Sequence, residues 1–445
     1  MTPPLLFASR RFLLLLFVIW LIGLACATAL AAECPRLDVE AANTRILQLS
    51  GEIKYHNVLY YEMNRPEISD VQYDRLLEEL RLLETCFPTL AAADSPTRTV
   101  GTAVSGVKPK IRHDSPILSL ASTTGPKAVE RLLKRVSTKL GTATLLVQPK
   151  VDGLPVELVY LNGQLASAAT RGDGQFGQTV TERVRMMQGI PRQLSGSFPA
   201  RVVIRGEVYA DLTVMSAVGG GRTIPYATPR HHAAGTLMVG DPDPQSLAAL
   251  RFFPFELVNA RECCGVLSDS EALRLLKSWG LPVQLEQTAA VENIDGVRAV
   301  YQTMLAKRQK LPFAADGIVV KADDLTLRQR LGTGSREPHW AAAWKFPPAT
   351  AVTVVREIRW QVGRTGRRTP VALLAPVNIG GIRISRASLH TQSEVAQLGI
   401  EAGDQVVVAL VGDVIPQIIK VVKDRAATTS NEKAASTQAT INGDQ

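Results

Sequence analysis

Cysteine is scarce in this chain of 445 residues: five thiols cannot build a dense disulfide framework, and adjacent Cys263 and Cys264 lack zinc-ligand spacing. No cysteine follows Cys264, so no four-cysteine zinc finger, and no zinc, is expected. Long apolar runs are almost as rare. Arg10 and Arg11 precede one, Phe12 to Ile22, and Ala29-Leu30-Ala31 follows it like an export-signal cleavage site. Extended to Ala32, the run is about 21 residues, enough to cross a bilayer, so residues 1–31 read as an export signal or an uncleaved anchor. No second segment is apolar enough to span, and no internal repeat is present. Biased composition is confined to 424–445, rich in Ala, Thr, Ser and Asn, which predicts a disordered tail.

What is present is a folded composition, 46% hydrophobic and 20% charged. At about 150 residues per domain the length predicts about three domains. Fifty Lys and Arg against 41 acidic residues give +9, which suits an anionic partner, nucleic acid or anionic lipid, without choosing between them.

The fold class expected is α+β with a barrel behind it. Residues 32–107 carry helical periodicity at Ile46, Leu47 and Leu49, then at Leu76, Leu77, Leu80, Leu82 and Leu83, with Ser69 and Asp70 as N-cap signals. Cys34 and Cys86 flank this hairpin, either bridged or as two buried free thiols. Residues 108–350 alternate strands (Leu145 to Val147, Val156 to Tyr160, Val202 to Ile204, Phe252 to Leu257, Ile318 to Val320) with helices (Ala128 to Lys139, Ser268 to Trp279, Ile294 to Gln309). Leu161-Asn162-Gly163 is a hairpin turn. Residues 351–423 hold five short strands and little helix, the pattern of a small β-barrel.

Chemistry concentrates at strand ends. Lys150 and Asp152 in Lys150-Val151-Asp152-Gly153 stand two apart on extended backbone and so share a face. Taken alone this is a weak signal, but charged motifs follow in order: Thr170-Arg171-Gly172-Asp173-Gly174, Ile204-Arg205-Gly206-Glu207, Ala315-Asp316-Gly317-Ile318-Val319-Val320-Lys321 and Trp344-Lys345-Phe346-Pro347. With Asp94-Ser95-Pro96-Thr97, Ser115-Pro116-Ile117-Leu118-Ser119-Leu120 after His113, and Gln361-Val362-Gly363-Arg364-Thr365-Gly366, the chain resembles the bacterial NAD-dependent DNA ligases from about Tyr60 to Val422. Within that family it looks most like the short B-type form, given Gln148-Pro149 before the lysine, the export-like start and the absence of zinc-finger, helix-hairpin-helix and BRCT counterparts.

The resemblance implies a fold and a set of roles. Residues 32–107 would be a nicotinamide mononucleotide-binding subdomain, 108–350 a nucleotidyltransferase (adenylation) domain of antiparallel sheets with helices, and 351–423 an OB-fold. Lys150 would attack the α-phosphorus of NAD. An ordinary lysine is almost wholly protonated near neutrality, so Arg171, Lys321, Lys345, Mg²⁺ and the nicotinamide cation are expected to help release the proton. Asp152 and Asp316 would organise the lysine, the hydroxyl and the metal, with Asp316 the metal candidate. Glu207 would hold a ribose hydroxyl, Lys321 and Lys345 the adenylate phosphate, and Arg171 the phosphates of cofactor or nick. Phe255 would stack on adenine, with Ser119, Leu120 and Gln148 lining its pocket. Tyr60, Asp70, Tyr73 and Asp74 would face the nicotinamide half, where aromatic faces suit a pyridinium. Arg364 would meet DNA phosphate.

Four positions depart from the long-form family pattern: Tyr61 for a His, Gln148 for a Glu, Met238 for an Arg and His339 for an Arg. The expected function is sealing of nicks in duplex DNA by a monomer with NAD and Mg²⁺ and no protein partner. The alternative is a nick-binding protein that keeps the fold and seals little. The start of the chain points to export and the chemistry to the cytoplasm.

Overall fold

The structure, a computed structural model, describes residues 34–59, 68, 70–99, 109–214, 228–238, 244–362, 368–379, 382–389, 392–411 and 415–422. The apolar start, Tyr60, Tyr61, Arg364 and the tail lie outside the described residues, as does the side chain of Asp70.

Two helices open the described chain, Val39–Asn57 and Asp70–Cys86. The Asp38 carboxylate caps the first by accepting from the Ala41 amide at 2.7 Å. Ile46, Leu49 and Ile53 recur at helical spacing and bury against Leu77, Leu80 and Leu83 of the second. Arg45 clamps Glu79 across the pair at 2.6 and 2.8 Å. The Asp94-Ser95-Pro96-Thr97 motif is tied to the same helices, since Lys54 reaches Asp94 and the Ser95 and Thr97 hydroxyls donate to Glu84. Cys34 and Cys86 form a disulfide across 52 residues.

Among the described residues six side chains form the buried cluster between the two helices, and the covalent link adds to it. On a chain-entropy view a loop of that length contributes about 4 kcal/mol. The paired substitutions Cys34→Ser and Cys86→Ser should therefore cut amide hydrogen-exchange protection in 39–57 and 70–86 while leaving the barrel amides unchanged. Protection that stays level in both helices would refute this.

The central domain is two facing sheets. The first has five strands in the order β2-β11-β10-β3-β9: β2 Ala121–Thr123, β3 Leu145–Val151, β9 Ala289–Val291, β10 Ala315–Ala322 and β11 Ala341–Lys345. The second has four, β5-β4-β7-β8: β4 Leu154–Leu161, β5 Gln164–Thr170, β7 Arg201–Ala210 and β8 Leu250–Leu257. A short ribbon pairs β1, Lys110–Arg112, with β6, Phe176–Gln178. The two-residue period of β3 shows how the layers are built. Leu145 and Val147 join the core under helices Lys127–Leu140 and Ile294–Lys307, whereas Leu146 points the other way into the core of the second sheet. Gln148 and Lys150 continue the Leu146 face, so the inter-sheet layer changes along one strand from hydrophobic to chemical.

The Asn162-Gly163 turn joins β4 to β5 with φ of 49° and 79°, the left-handed pair a two-residue hairpin demands. β5 and β11 were not among the strands expected from the sequence. Both are alanine-rich, and alanine carries little strand signal even where, as in β11, every position is buried.

Five strands close the barrel in the order β12-β13-β14-β16-β15: β12 Ala349–Val362, β13 Arg368–Ile379, β14 Ile382–Ser388, β15 Gln405–Val411 and β16 Ile415–Val422. Val355, Leu374, Ile384, Val406, Val408 and Ile418 fill it. A helix at Gln392–Leu398 sits between β14 and β15, more helix than the strand-rich pattern implied. Its Val395 and Leu398 pack on the barrel core.

Candidate active site

Antiparallel register places Lys150 of β3 opposite Gly317 of β10, and Gly317 opposite Lys345 of β11. The three positions form one row across the sheet and face the same side. The register between β3 and β10 shifts at Ala315/Gly317, leaving Asp316 in a bulge. A bulge re-aims the residue it carries. Lys150 Nζ donates to both Asp316 oxygens, at 2.9 and 2.7 Å. Gly317 is required by close approach, since a Cβ there would stand 2.4 Å from the Trp344 carbonyl oxygen and 2.8 Å from Lys345 Cα. Any side chain would push β11, and Lys345 with it, away from the bulge.

Gly153 has an equivalent task at the other end of the lysine motif. Its missing Cβ would lie 2.1 Å from the Val208 carbonyl oxygen and 3.0 Å from Glu207 Cγ, so the β3–β4 turn lies directly on β7. Two half-buried carboxylates, Asp152 and Glu207, thereby stand beside Lys150. Burial pushes Asp152 up to about 6, aided by the Asp316 charge and opposed by Arg230 and Lys150. Burial likewise pushes Glu207 up to about 7, against the pull of Arg230, Lys150 and Arg171. Arg230 donates to Asp152 Oδ1 at 3.0 Å from the helix Pro229–Met238.

The helical pair reaches this row directly. Lys345 Nζ donates to Asp74 Oδ2 at 3.2 Å, and Arg336 donates to the Tyr73 hydroxyl at 3.2 Å and to the carbonyls of Pro96 and Thr99. Tyr73 also donates to Asn57 at 2.8 Å.

Around Arg171, the loop is held from beneath by a buried chain of charges. His113 bonds Glu157 at 2.9 Å through Nδ1 and meets the Thr170 and Arg171 carbonyls through Nε2 at 3.1 and 3.2 Å. Glu157 accepts from Arg205 at 2.9 Å, and Arg205 donates onward to the Ser115 hydroxyl and carbonyl. Burial would raise the Glu157 carboxyl, but His113 and Arg205 together hold it below its ordinary value. The His113 and Arg205 motifs therefore place the Arg171 and Glu207 segments.

The pocket residues are placed as follows. Gln148 is buried on the Lys150 face and donates to Thr288 Oγ1 at 3.2 Å. Ser119 and Leu120 are half-buried, and the Ser119 amide donates to the Arg336 carbonyl. Phe255 packs partly buried against the first-sheet core.

Lys321 shares the Lys150 face of the sheet, four residues along β10 from Gly317, where its ammonium donates to the Phe255 carbonyl at 2.8 Å and pairs with Asp269 at 2.6 Å. The cause is burial, which penalises an ammonium and requires a carboxylate beside it; Arg328 shares the same Asp269. Lys345 is likewise engaged by Asp74, so two of the cations expected to crowd Lys150 have their own counter-charges. Among the described residues no group of three or more metal-ligating side chains stands together, and the Asp316 carboxylate faces Lys150.

Sequence reasoning passed over Arg230, Arg336 and Asp269 as site partners. Arg230 and Asp152 are 78 residues apart, and no local spacing announces such a pair.

A lysine and carboxylate between two facing sheets, with a closed five-stranded OB barrel behind them, define the covalent nucleotidyltransferase architecture. Comparison with known proteins narrows the class. The NAD-dependent DNA ligase adenylation domain matches residues 107–349, the NAD-dependent DNA ligase OB-fold domain 352–430, and the DNA ligase-like, N-terminal NAD+-binding domain 39–101. A DNA ligase of Geotalea uraniireducens (strain Rf4) is 42% identical over 399 residues, covering 87% of this chain and 59% of that protein. One of Salinibacter ruber (strain DSM 13855 / M31) is 38% identical over 408 residues, covering 88% and 59%. This chain belongs to the NAD-dependent DNA ligase family, and it spans 59% of the length of these curated relatives.

Proposed function

We propose that the chain seals 5′-phosphate/3′-hydroxyl nicks in duplex DNA at the expense of NAD, carrying the adenylate on Lys150 and releasing nicotinamide mononucleotide and AMP. The observation that carries this reading is Lys150 Nζ held between the two Asp316 oxygens at 2.9 and 2.7 Å beside two half-buried carboxylates, Asp152 and Glu207.

The donor set fits the dinucleotide. Asp152 and Glu207 are kept in a cleft where burial penalises their charge, and two arginines and a lysine surround them; such a set suits ribose hydroxyls and phosphates. Bound NAD supplies an adenylyl phosphorus and a leaving group. Lys150 Nζ forms the new bond to that phosphorus as the bond to nicotinamide mononucleotide breaks, and the ammonium proton passes to Asp316. Glu207 holds a ribose hydroxyl, Arg171 meets phosphate oxygens, and Gln148 and Phe255 border the base with Ser119 and Leu120. Asp74 and Tyr73, already at Lys345 and Arg336, bring the nicotinamide side of the site to the same row, and we extend this surface to Tyr60 and Asp70. The adenylate then moves to the 5′-phosphate of the nick, freeing the amine, and attack by the 3′-hydroxyl expels AMP. Mg²⁺, where it takes part, would be held by Asp316 together with phosphate oxygens of the substrate and would supply charge neutralisation there.

Arg364 is proposed as a DNA contact, and the protein as a monomer. Gln148-Pro149 and the apolar opening support the B-type form, and the Cys34–Cys86 bridge supports an oxidising compartment.

The test uses the full chain with adenylate-labelled NAD and Mg²⁺, and separately with labelled ATP. NAD should label the protein covalently and ATP should not; a nicked duplex should then take the label onto its 5′ end and be sealed. Equal labelling by ATP would defeat the cofactor assignment. Labelling without sealing would make the protein a nick-binding adenylate acceptor.

A further inference from the structure

The β1/β6 ribbon stands beside the Arg171 loop and is not used by the chemistry above. Its register pairs Lys110 with Gln178, Ile111 with Gly177 and Arg112 with Phe176. Side chains alternate along a strand, so Lys110, Arg112, Phe176 and Gln178 share one face and Ile111 and Gly177 the other. The inner face is pressed against the end of β5: a Cβ on Gly177 would lie 1.7 Å from the Thr170 carbonyl oxygen. The outer face is open. Lys110 and Arg112 are exposed, Phe176 is 39% exposed, and among the described residues neither cation has a carboxylate partner.

This face is rigidly joined to the reaction site. The His113 amide donates to the Gln175 carbonyl at 2.9 Å and the Thr179 amide to the Pro109 carbonyl at 3.1 Å, closing the ribbon at both ends. Asp173 Oδ1 accepts from the Gln175 and Phe176 amides at 2.9 and 2.7 Å, which shapes the turn leading out of Arg171. The His113 ring, next in chain to Arg112, contacts the Thr170 and Arg171 carbonyls. Whatever Arg171 binds therefore lies at the near end of an outward-facing strip with two cations and one aromatic ring, with Asp173 between them engaged by the Gln175 and Phe176 amides.

We propose that this strip binds the sugar–phosphate backbone of duplex DNA flanking the nick, Lys110 and Arg112 meeting phosphates and the Phe176 ring lying on a deoxyribose. Cations without counter-charges gain most from a polyanion, whose condensed counterions they release. An exposed aromatic beside them adds apolar contact that carries no sequence preference. The proposal rests on the ligase reading and names a substrate surface for it.

The experiment measures binding of a nicked duplex by fully adenylated protein, with EDTA present to stop sealing, across a salt series. In Lys110→Gln/Arg112→Gln, two lost phosphate contacts should flatten the slope of log affinity against log salt by about 1.8, and weaken low-salt binding roughly tenfold. Phe176→Ala should weaken binding several-fold with the slope unchanged. Adenylate labelling from NAD should equal wild type in both, which also shows that they fold. An unchanged slope in the double variant overturns the proposal. So does loss of its labelling, which would make the ribbon a support of the site. Failure of the wild-type protein to label at all would instead sink the ligase reading.

Discussion

Lys150→Arg is expected to yield a folded protein that takes up no adenylate. Three lysines on one face of the first sheet each meet a carboxylate: Lys150 with Asp316, Lys345 with Asp74, Lys321 with Asp269. Their side chains differ in access, 24% exposed for Lys150 against 11% and 6%. Lys150 is the most accessible of the three, and its Asp316 partner, unlike Asp269, has no second cation paired with it among the described residues. A guanidinium preserves the charge and the ion pair with Asp316 but stays protonated above pH 12, so it supplies no nucleophile. Asp316→Asn removes the proton acceptor and leaves the amine, and should slow labelling by about 100-fold, the lower range for loss of a positioned general base. Quenched time courses with labelled NAD separate the outcomes, and melting curves check the fold. Lys150→Arg that labels at the wild-type rate would exclude Lys150 as the adenylate carrier.

The parts of this site legible in the sequence are those whose geometry is local. Lys150 and Asp152 sit two apart on a strand entering a turn, and Gly153 and Gly317 are glycines because backbone crosses directly over them. Strand period and turn chemistry likewise announced β3, β4 and the Asn162-Gly163 hairpin. Charge pairing across the fold was not legible. Lys321 reads as one more cation in a motif until Asp269, 52 residues earlier, is seen beside it; only the packing of helix Asp269–Ser278 against the sheets brings them together. Arg336 is a similar case. It lies in an irregular segment, yet it is buried and bonded to Tyr73, Pro96 and Thr99 of the helical element. Such residues reveal themselves by burial of charge, a tertiary property that composition and period do not encode.

Glu207→Gln should make the protein more stable at alkaline pH while impairing adenylate transfer. Burial, reinforced by the Asp152 charge, outweighs Arg230, Lys150 and Arg171 and lifts the Glu207 carboxyl to about 7 from an unfolded value of 4.5. Between those two values the folded protein keeps a proton that the unfolded chain has released. The stabilising contribution is therefore complete below about pH 4.5 and disappears as pH rises through 7. Over pH 5 to 8 this amounts to about 2 kcal/mol lost from wild type, from 1.36 kcal/mol per pKa unit. Glutamine has no proton to lose, so the stability of the variant relative to wild type should climb across that range. Asp152 is raised in the same direction and its charge acts on Glu207, so the difference between the two proteins reports position 207 together with its interaction with Asp152. Denaturant titrations of both proteins at pH 5 and pH 8 measure it, and a gap that does not change with pH would contradict the burial argument. A carboxylate that weakens the fold at neutral pH and above is best explained by what it binds, so the stabilised variant should be the slower one in labelling from NAD.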